Sequence, residues 1–248
     1  MTPKSTFPQD PKSAIAIIVA AGRGVRMGSP LEKQFLQLVD RPLLAHTLEP
    51  FQGCHAISRI ILVVPEDRQE RVRQEILLPF SLTKVKDVVP GGPTRQESVF
   101  LGLKAARDPN HGSIVVIHDG VRPIIDEGMI MRCVQETYKW GAAVYGLPST
   151  DTLAQVDTRE ELFLHALDRE DVWRIQTPQG FYFGLIMQAH EEARRAGFLS
   201  TDDATLVRRL DHPVRIIKGS TDNIKVTTRL DLEMAEFLMR RRIMEDRN

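Results

Sequence analysis

Cysteine is almost absent: Cys54 and Cys133 are the only two in 248 residues. Two scattered thiols cannot build a disulfide framework or a Cys-rich zinc site, and they read as reduced side chains of a cytoplasmic protein. An excess of charge of either sign is also missing. Lys plus Arg and Asp plus Glu each number 33, which removes the global basic field of a nucleic-acid binder and the acidic excess of a disordered chain. Any positive site must be local. There is no transmembrane run, and residues 1–12, polar and punctuated by Pro3, Pro8 and Pro11, carry no signal sequence and read as a disordered tail. Internal repeats and low-complexity stretches are lacking as well.

What is present is enough for a core. With 42% hydrophobic and 27% charged residues, the chain fits one large α/β domain or two small ones. Its organising stretch begins with the continuous apolar run from Ala14 to Ala20, containing Ile15, Ile17, Ile18 and Val19. Such a run is expected of a strand buried on both faces in the middle of a parallel sheet. It stops at Ala21-Gly22 and opens into a loop with Gly22, Gly24 and Gly28 and the cations Arg23, Arg26 and Lys33. Glycines let backbone N–H groups approach phosphate oxygens closely, and the cations neutralise the charge. Two familiar phosphate loops do not fit: the third glycine falls one residue late for Gly-x-Gly-x-x-Gly, and no Gly-Lys-Ser/Thr follows Gly24. On glycine spacing alone, an ordinary strand-to-helix turn with surface arginines fits as well.

Beyond the loop, strand and helix alternate. Residues 34–39 read as a short strand, and Asp40-Arg-Pro42 as the start of a helix reaching Phe51. Residues 59–64, 85–89, 113–117 and 142–147 read as further strands. Helices are predicted at about 67–78, after a Thr94 cap with Glu97 three residues on, and at about 127–139. The pattern is that of an α/β, Rossmann-like doubly wound, mostly parallel sheet with crossover helices. Residues 148–172 break it: two β-prone segments, 152–156 and 162–167, flank a polar turn and predict a β-arm projecting from a single domain spanning 13–248. A strand at 173–177, a turn at Pro178-Gln-Gly180, helices at about 183–196 and 202–210, a strand at 214–218 and a helix from about Arg229 complete the chain.

Polar clusters fall just past strand ends, where open α/β sheets bind ligands. Asp119, in His118-Asp119-Gly120, can bind a sugar hydroxyl or a phosphate-bound metal, or merely cap a turn beside Gly120. Gly91, Gly92 and Ser98 offer bare backbone and a hydroxyl to a base edge, or a plain turn followed by a mid-helix serine. Lys225 stands alone on a polar loop, where a lysine is most often just surface. The coincidence of these clusters is the functional signal.

The clusters occur as an ordered set. It comprises Ala20-Ala-Gly-Arg-Gly-Val-Arg-Met27 with Lys33-Gln34, Gly91-Gly-Pro-Thr-Arg-Gln-Glu-Ser98, His118-Asp-Gly-Val-Arg-Pro123, Asp151-Thr152, Asp168-Arg169, Gln176-Thr-Pro-Gln179, Thr201-Asp202 and Asp222-Asn-Ile-Lys-Val-Thr227. The set resembles that of the 2-C-methyl-D-erythritol 4-phosphate cytidylyltransferases of the non-mevalonate isoprenoid pathway, from about residue 14 to 240. The resemblance implies a nucleotidyltransferase fold and transfer of a cytidyl group from CTP to 2-C-methyl-D-erythritol 4-phosphate, by in-line attack on the α-phosphorus. It implies that Ala20, Ala21, Gly22 and Gly24 cradle the triphosphate, and that Arg26, Lys33 and Lys225 are the catalytic cations. Gly92 and Ser98 resemble the cytosine-reading positions, and Asp119 and Gly120 the ribose and metal neighbourhood. Arg122, Thr152, Arg169, Thr177 and Thr201 match positions around the methylerythritol phosphate. Mg²⁺ is expected mainly on the CTP phosphates, with no separate metal site in the protein.

The apolar residues of the arm (Leu153, Val156, Leu162, Phe163 and Leu164) need cover, and with the resemblance they imply a homodimer paired through the β-arm. Arg169 then acts in the partner's site or in its own; sequence leaves both open. Neither nucleic acid nor membrane is an expected partner. The family commonly has Ala-Ala where this chain has Gly120-Val121. A ribitol 5-phosphate cytidylyltransferase shares the glycine loop and paired lysines, but residues 167–173 followed by Gln176-Thr-Pro-Gln179 resemble the methylerythritol enzymes more closely. A non-catalytic scaffold of the same fold would lack Arg26, Lys33 or Lys225, and all three are present.

Overall fold

The computed structural model describes residues 14–22, 35–108 and 113–245. β1 (Ala14–Val19) is followed by a small ribbon, β2 (Gln37–Leu38) with β3 (Arg41–Pro42), and by helix α1 (Leu43–Gly53). Then come β4 (Ile57–Val64), the short α2 (Gln69–Val72), β5 (Val85–Pro90), α3 (Arg95–Ala106), β6 (Ile114–Asp119), α4 (Glu127–Trp140) and β7 (Ala142–Pro148). The arm is β8 (Ala154–Asp157) and β9 (Leu162–Ala166). β10 (Trp173–Tyr182), α5 (Phe183–Arg195), α6 (Asp203–Arg208), β11 (Arg215–Lys218) and α7 (Arg229–Glu245) complete the order.

The main sheet has seven strands in the order β11-β7-β10-β6-β1-β4-β5, all parallel to their neighbours except β10, which runs antiparallel to both β6 and β7. Alternate side chains of β1 feed opposite layers. Ala16 and Ile18 join Ile60, Leu62 and Val116 beneath Leu44 and Leu48 of α1 and Ile130 of α4. Ile15 and Ile17 join Ile61, Val63, Val115 and Ile117 beneath Val99 and Leu103 of α3 and Ile186 of α5. A third cluster seats α7, through Ala235, Leu238 and Met239, on Leu38, Leu43, Ile124 and Val226. Each fully buried side chain of this size contributes about 1.5–3 kcal/mol, so β1 is fixed from both sides.

The chain runs from β1 outward through β4 and β5, then crosses back to β6 on the other side of β1. That reversal opens a crevice at the carboxyl ends of β1 and β6. Register pairs Val19 with Asp119, and Gly120 N donates to Val19 O at 2.8 Å. Ala20 N donates to Val63 O at 2.7 Å and Gly91 N to Val64 O at 2.8 Å. Residues 20–22, 91–92 and 119–120 therefore share one edge of the sheet.

Several boundaries differ from expectation. The strand expected over 34–39 shrinks to Gln37–Leu38, and Asp40 and Arg41 belong to the ribbon, so the first helix starts at Leu43 with Pro42 as its cap. The segment expected as a helix over 67–78 is a 3₁₀ turn, one α turn and a π turn in succession. The turn expected at Pro178-Gln-Gly180 is a strand: β10 runs unbroken to Tyr182. Its register to β7 shifts between Gln176 and Gln179, so Pro178, after a cis peptide, sits in a bulge where its missing N–H breaks no ladder bond. The Thr94 cap is as expected, with Glu97 N donating to Thr94 Oγ1 at 3.1 Å.

The arm continues the β7–β10 pairing outward, with Ser149 N donating to Val172 O at 2.9 Å, and forms its own two-stranded sheet. It leaves Leu162 54%, Phe163 65% and Leu164 53% exposed.

Candidate active site

Asp119, the last residue of β6, is buried and gathers three cations. Arg95 Nε donates to its Oδ1 at 3.0 Å, while Lys225 Nζ lies 2.8 Å and Arg122 Nε 3.6 Å from its Oδ2. Burial alone would raise the carboxyl pKa, but Arg95, Lys225 and Arg122 together outweigh it and hold Asp119 ionised well below the usual carboxylate range. Arg95 opens α3 directly after the Thr94 cap, and its Nη1 donates to Asp203 Oδ2 at 2.7 Å. The other oxygen of Asp203 lies 3.1 Å from His190 Nε2. Burial also disfavours ionised Asp203, and Arg95 with His190 more than offsets it, so this carboxylate too is held below its ordinary range.

Behind Asp119 lies a hydrogen-bond relay whose direction can be assigned. Burial pushes the His118 imidazole pKa down to about 3, so the ring is neutral at pH 7. Its Nε2 lies 3.2 Å from the Arg122 carbonyl, which can only accept, so Nε2 carries the proton. Nδ1 then accepts from Thr177 Oγ1 at 2.9 Å, and Thr177 Oγ1 accepts the Asp119 N–H at 3.1 Å. Arg122 in turn donates from Nη1 to the Asn223 carbonyl at 2.7 Å. The end of β6 is thus tied to β10 and to the loop bearing Lys225.

Of the residues singled out from sequence, Ala20, Ala21 and Gly22 lead off the end of β1, and among the described residues nothing lies within 4 Å of where a Gly22 Cβ would stand. Gly24, Arg26, Gly28 and Lys33 lie outside the described residues. The Ser98 hydroxyl is buried; it accepts Gly92 N–H at 3.1 Å and lies 2.9 Å from the Thr94 carbonyl, so it braces the turn that presents the Gly92 backbone. A Cβ at Gly91 would collide with that of Ala21, which brings this turn against the residues leading off β1. Gly120 also meets its neighbours closely: a Cβ there would stand 2.8 Å from Ala20 Cβ and 3.2 Å from Leu44 Cδ1. Glycine suits this tight approach.

Arg122 and Thr177 join the Asp119 cluster, with the Thr177 hydroxyl spent on His118 and Asp119. Thr201 is exposed ahead of α6. Thr152 and Arg169 are exposed at the base of the arm, and among the described residues their side chains make no hydrogen bond or ion pair within the chain. The residues without a role in the sequence reading are Arg95, His118, Gln176, Asn223, Asp203 and His190. The first four lie inside the quoted motifs, which is the one signal that could have drawn attention to them.

The sequence profile of the 2-C-methyl-D-erythritol 4-phosphate cytidylyltransferase family matches residues 14–241. A relative of that name from Desulforamulus reducens is 42% identical over 229 residues, 92% of this chain and 96% of its own. The crystal structure of 4-diphosphocytidyl-2C-methyl-D-erythritol synthase from Anaerococcus prevotii superposes with a TM-score of 0.78 at 32% identity, covering 93% of this chain and 97% of that one. The 2-C-methyl-D-erythritol 4-phosphate cytidylyltransferase from Thermus thermophilus gives 0.73 at 33% identity, covering 90% and 98%. The ordered motifs, the sheet that carries them to one edge and matches spanning nine-tenths of the chain agree: it belongs to the 2-C-methyl-D-erythritol 4-phosphate cytidylyltransferase family.

Proposed function

We propose that the protein is a nucleotidyltransferase that converts CTP and 2-C-methyl-D-erythritol 4-phosphate to 4-diphosphocytidyl-2-C-methyl-D-erythritol and pyrophosphate. The observation that carries this reading is the convergence of Arg95, Arg122 and Lys225 on Asp119 at the crevice where the glycine loop begins. A phosphate oxygen of one anion must attack the α-phosphorus of another, while the bond to the pyrophosphate oxygen breaks. No protein nucleophile is needed; the work is positioning and electrostatic stabilisation. Ala20, whose N–H is given to the Val63 carbonyl, leads into the cradle in which the backbone N–H groups of Ala21, Gly22 and Gly24 hold the triphosphate, with Arg26 and Lys33 on its oxygens. Lys225, with its side chain 39% exposed, comes from the far end of the chain and stays open to a ligand while paired with Asp119. Gly92 presents its backbone to cytosine on the turn braced by Ser98, and Asp119 with Gly120 borders the ribose.

Mg²⁺ fits this donor set as a companion of the triphosphate. Asp119, whose oxygens are engaged by Arg95 and Lys225, would border an ion held mostly by phosphate and water. When bound, the ion supplies further neutralisation of the phosphates.

The exposed apolar face of the arm supports a homodimer in which a second copy covers Val156, Leu162, Phe163 and Leu164. Thr152 and Arg169, unengaged among the described residues of their own chain, then reach the methylerythritol phosphate of the partner's site, beside Arg122, Thr177 and Thr201 from the resident chain. Both cysteines are free and buried, which supports a cytoplasmic location. Among the described residues no helix is long and apolar enough to cross a membrane. The test is pyrophosphate release from CTP and Mg²⁺ with each polyol phosphate in turn. Release with 2-C-methyl-D-erythritol 4-phosphate and little with ribitol 5-phosphate is expected; the reverse order overturns the substrate assignment.

A further inference from the structure

The loop that delivers Lys225 joins β11 to α7, and its two sides are held differently. Past the lysine, Val226 is buried against Leu38, Leu43 and α7, and its N–H donates to the Val121 carbonyl at 2.9 Å. Before the lysine the anchor is polar and passes through Asn223, which is 0% exposed. Asn223 Nδ2 donates to the Thr177 carbonyl at 2.7 Å. The Asn223 carbonyl accepts Arg122 Nη1 at 2.7 Å and Gln176 Nε2 at 3.2 Å, and Gln176 Nε2 also reaches the Ser220 carbonyl at 2.8 Å.

Two features of the chain permit this clasp. The bulge in β10 takes Thr177 out of the ladder to β7 and leaves its carbonyl for a side-chain donor. Gly219 lets the Gln176 amide lie against its backbone, because a Cβ there would collide with Gln176 Oε1. Gln176, Thr177, Arg122 and Asn223 are all buried, so water is not at hand to replace a lost bond.

We infer that Asn223, backed by Gln176, is a positioning residue that fixes where the Lys225 ammonium stands at the sheet edge. Asn223 acts through Lys225 and not on the substrate, and the inference rests on the reading of Lys225 as a catalytic cation. Without the clasp the lysine keeps its charge and its Val226 anchor but loses its fixed height over Asp119.

The test is a double-mutant cycle on the full-length protein, with thermal melts run alongside. Asn223→Ala should lower kcat on the order of 10²-fold, as an ångström-scale misplacement of a catalytic group does, and leave the KM for CTP nearly unchanged. In a Lys225→Ala background the same change should lower the residual single-turnover rate no further. Gln176→Met, which keeps the side-chain volume, should show the same pattern with a smaller drop, and it carries the test if Asn223→Ala does not fold. A folded Asn223→Ala or Gln176→Met enzyme with wild-type kcat, or losses that multiply with Lys225→Ala, would overturn the positioning role alone. Wild-type turnover in Lys225→Ala by itself would overturn the reading of Lys225, and the positioning role with it.

Discussion

Replacing Asp119 with asparagine removes the one negative charge on which three cations converge while keeping the shape of the side chain. Taking one partner from a buried ion pair costs about 3–5 kcal/mol. Water screens part of the Lys225 contribution, since that side chain is 39% exposed, and the amide oxygen still accepts hydrogen bonds. A loss near the lower end, about 3 kcal/mol at pH 7, is expected. The pH dependence is the sharper check. The Asp119 pKa in the folded protein lies below the value of about 3.9 for a free aspartate. Above that value both states are ionised and the stabilisation is fully present; below it the unfolded chain binds a proton that the folded protein does not. The stabilisation is then lost at up to about 1.4 kcal/mol per pH unit, whereas the amide of the Asp119→Asn variant binds no proton in either state. Urea unfolding of both proteins should therefore show a gap that is constant near neutrality and narrows as the pH falls below about 4. Asp40 and Asp231 are also depressed, but they share no cation with Asp119, titrate alike in both proteins and cancel in the difference. A gap that stays constant or widens in acid would refute the assignment of Asp119 as the shared counter-ion.

Two further outcomes are expected. CTP should be used far better than UTP, because a turn set to pair with the exocyclic amine of cytosine leaves polar groups unpaired against uracil; equal rates in competition would remove the base-reading role of Gly92. In a dimer with sites shared through the arm, Lys33→Ala and Arg169→Ala homodimers should both be nearly inactive. A purified heterodimer of the two should recover roughly half the wild-type activity, as one site then carries both lesions and the other none. No recovery would place Arg169 in its own chain's site.

Legibility from sequence followed the range of the interactions. Ala14–Val19 is apolar at every position, and that run specified a central strand because both of its faces are covered. Thr94 and Glu97, three residues apart, specified the start of α3 for an equally local reason. Pro178 misled because a proline in a strand reads as a break, and only the register of β10 against β7 shows that it occupies a bulge. The ion-pair chain was invisible for a different reason. Arg95 bonds Asp119 and Asp203, 24 and 108 residues away, and nothing in a guanidinium's sequence neighbours says which carboxylates it will meet. Likewise nothing local in the sequence says what the Ser98 and Thr177 hydroxyls will bond: one braces Gly92, the other links His118 to Asp119.

Cations from opposite ends of the chain, Lys33 from the glycine loop and Lys225 from the loop before α7, are assigned to charge that grows as the α-phosphate is attacked. The direct test measures, for Lys33→Ala and Lys225→Ala, the single-turnover rate of cytidyl transfer and the affinity for CTP on the same preparations. Groups that act in the transition state should show rates reduced on the order of 10²- to 10³-fold with CTP affinity close to wild type. Wild-type turnover in either variant, or CTP affinity lost in the same proportion as the rate, would contradict that assignment.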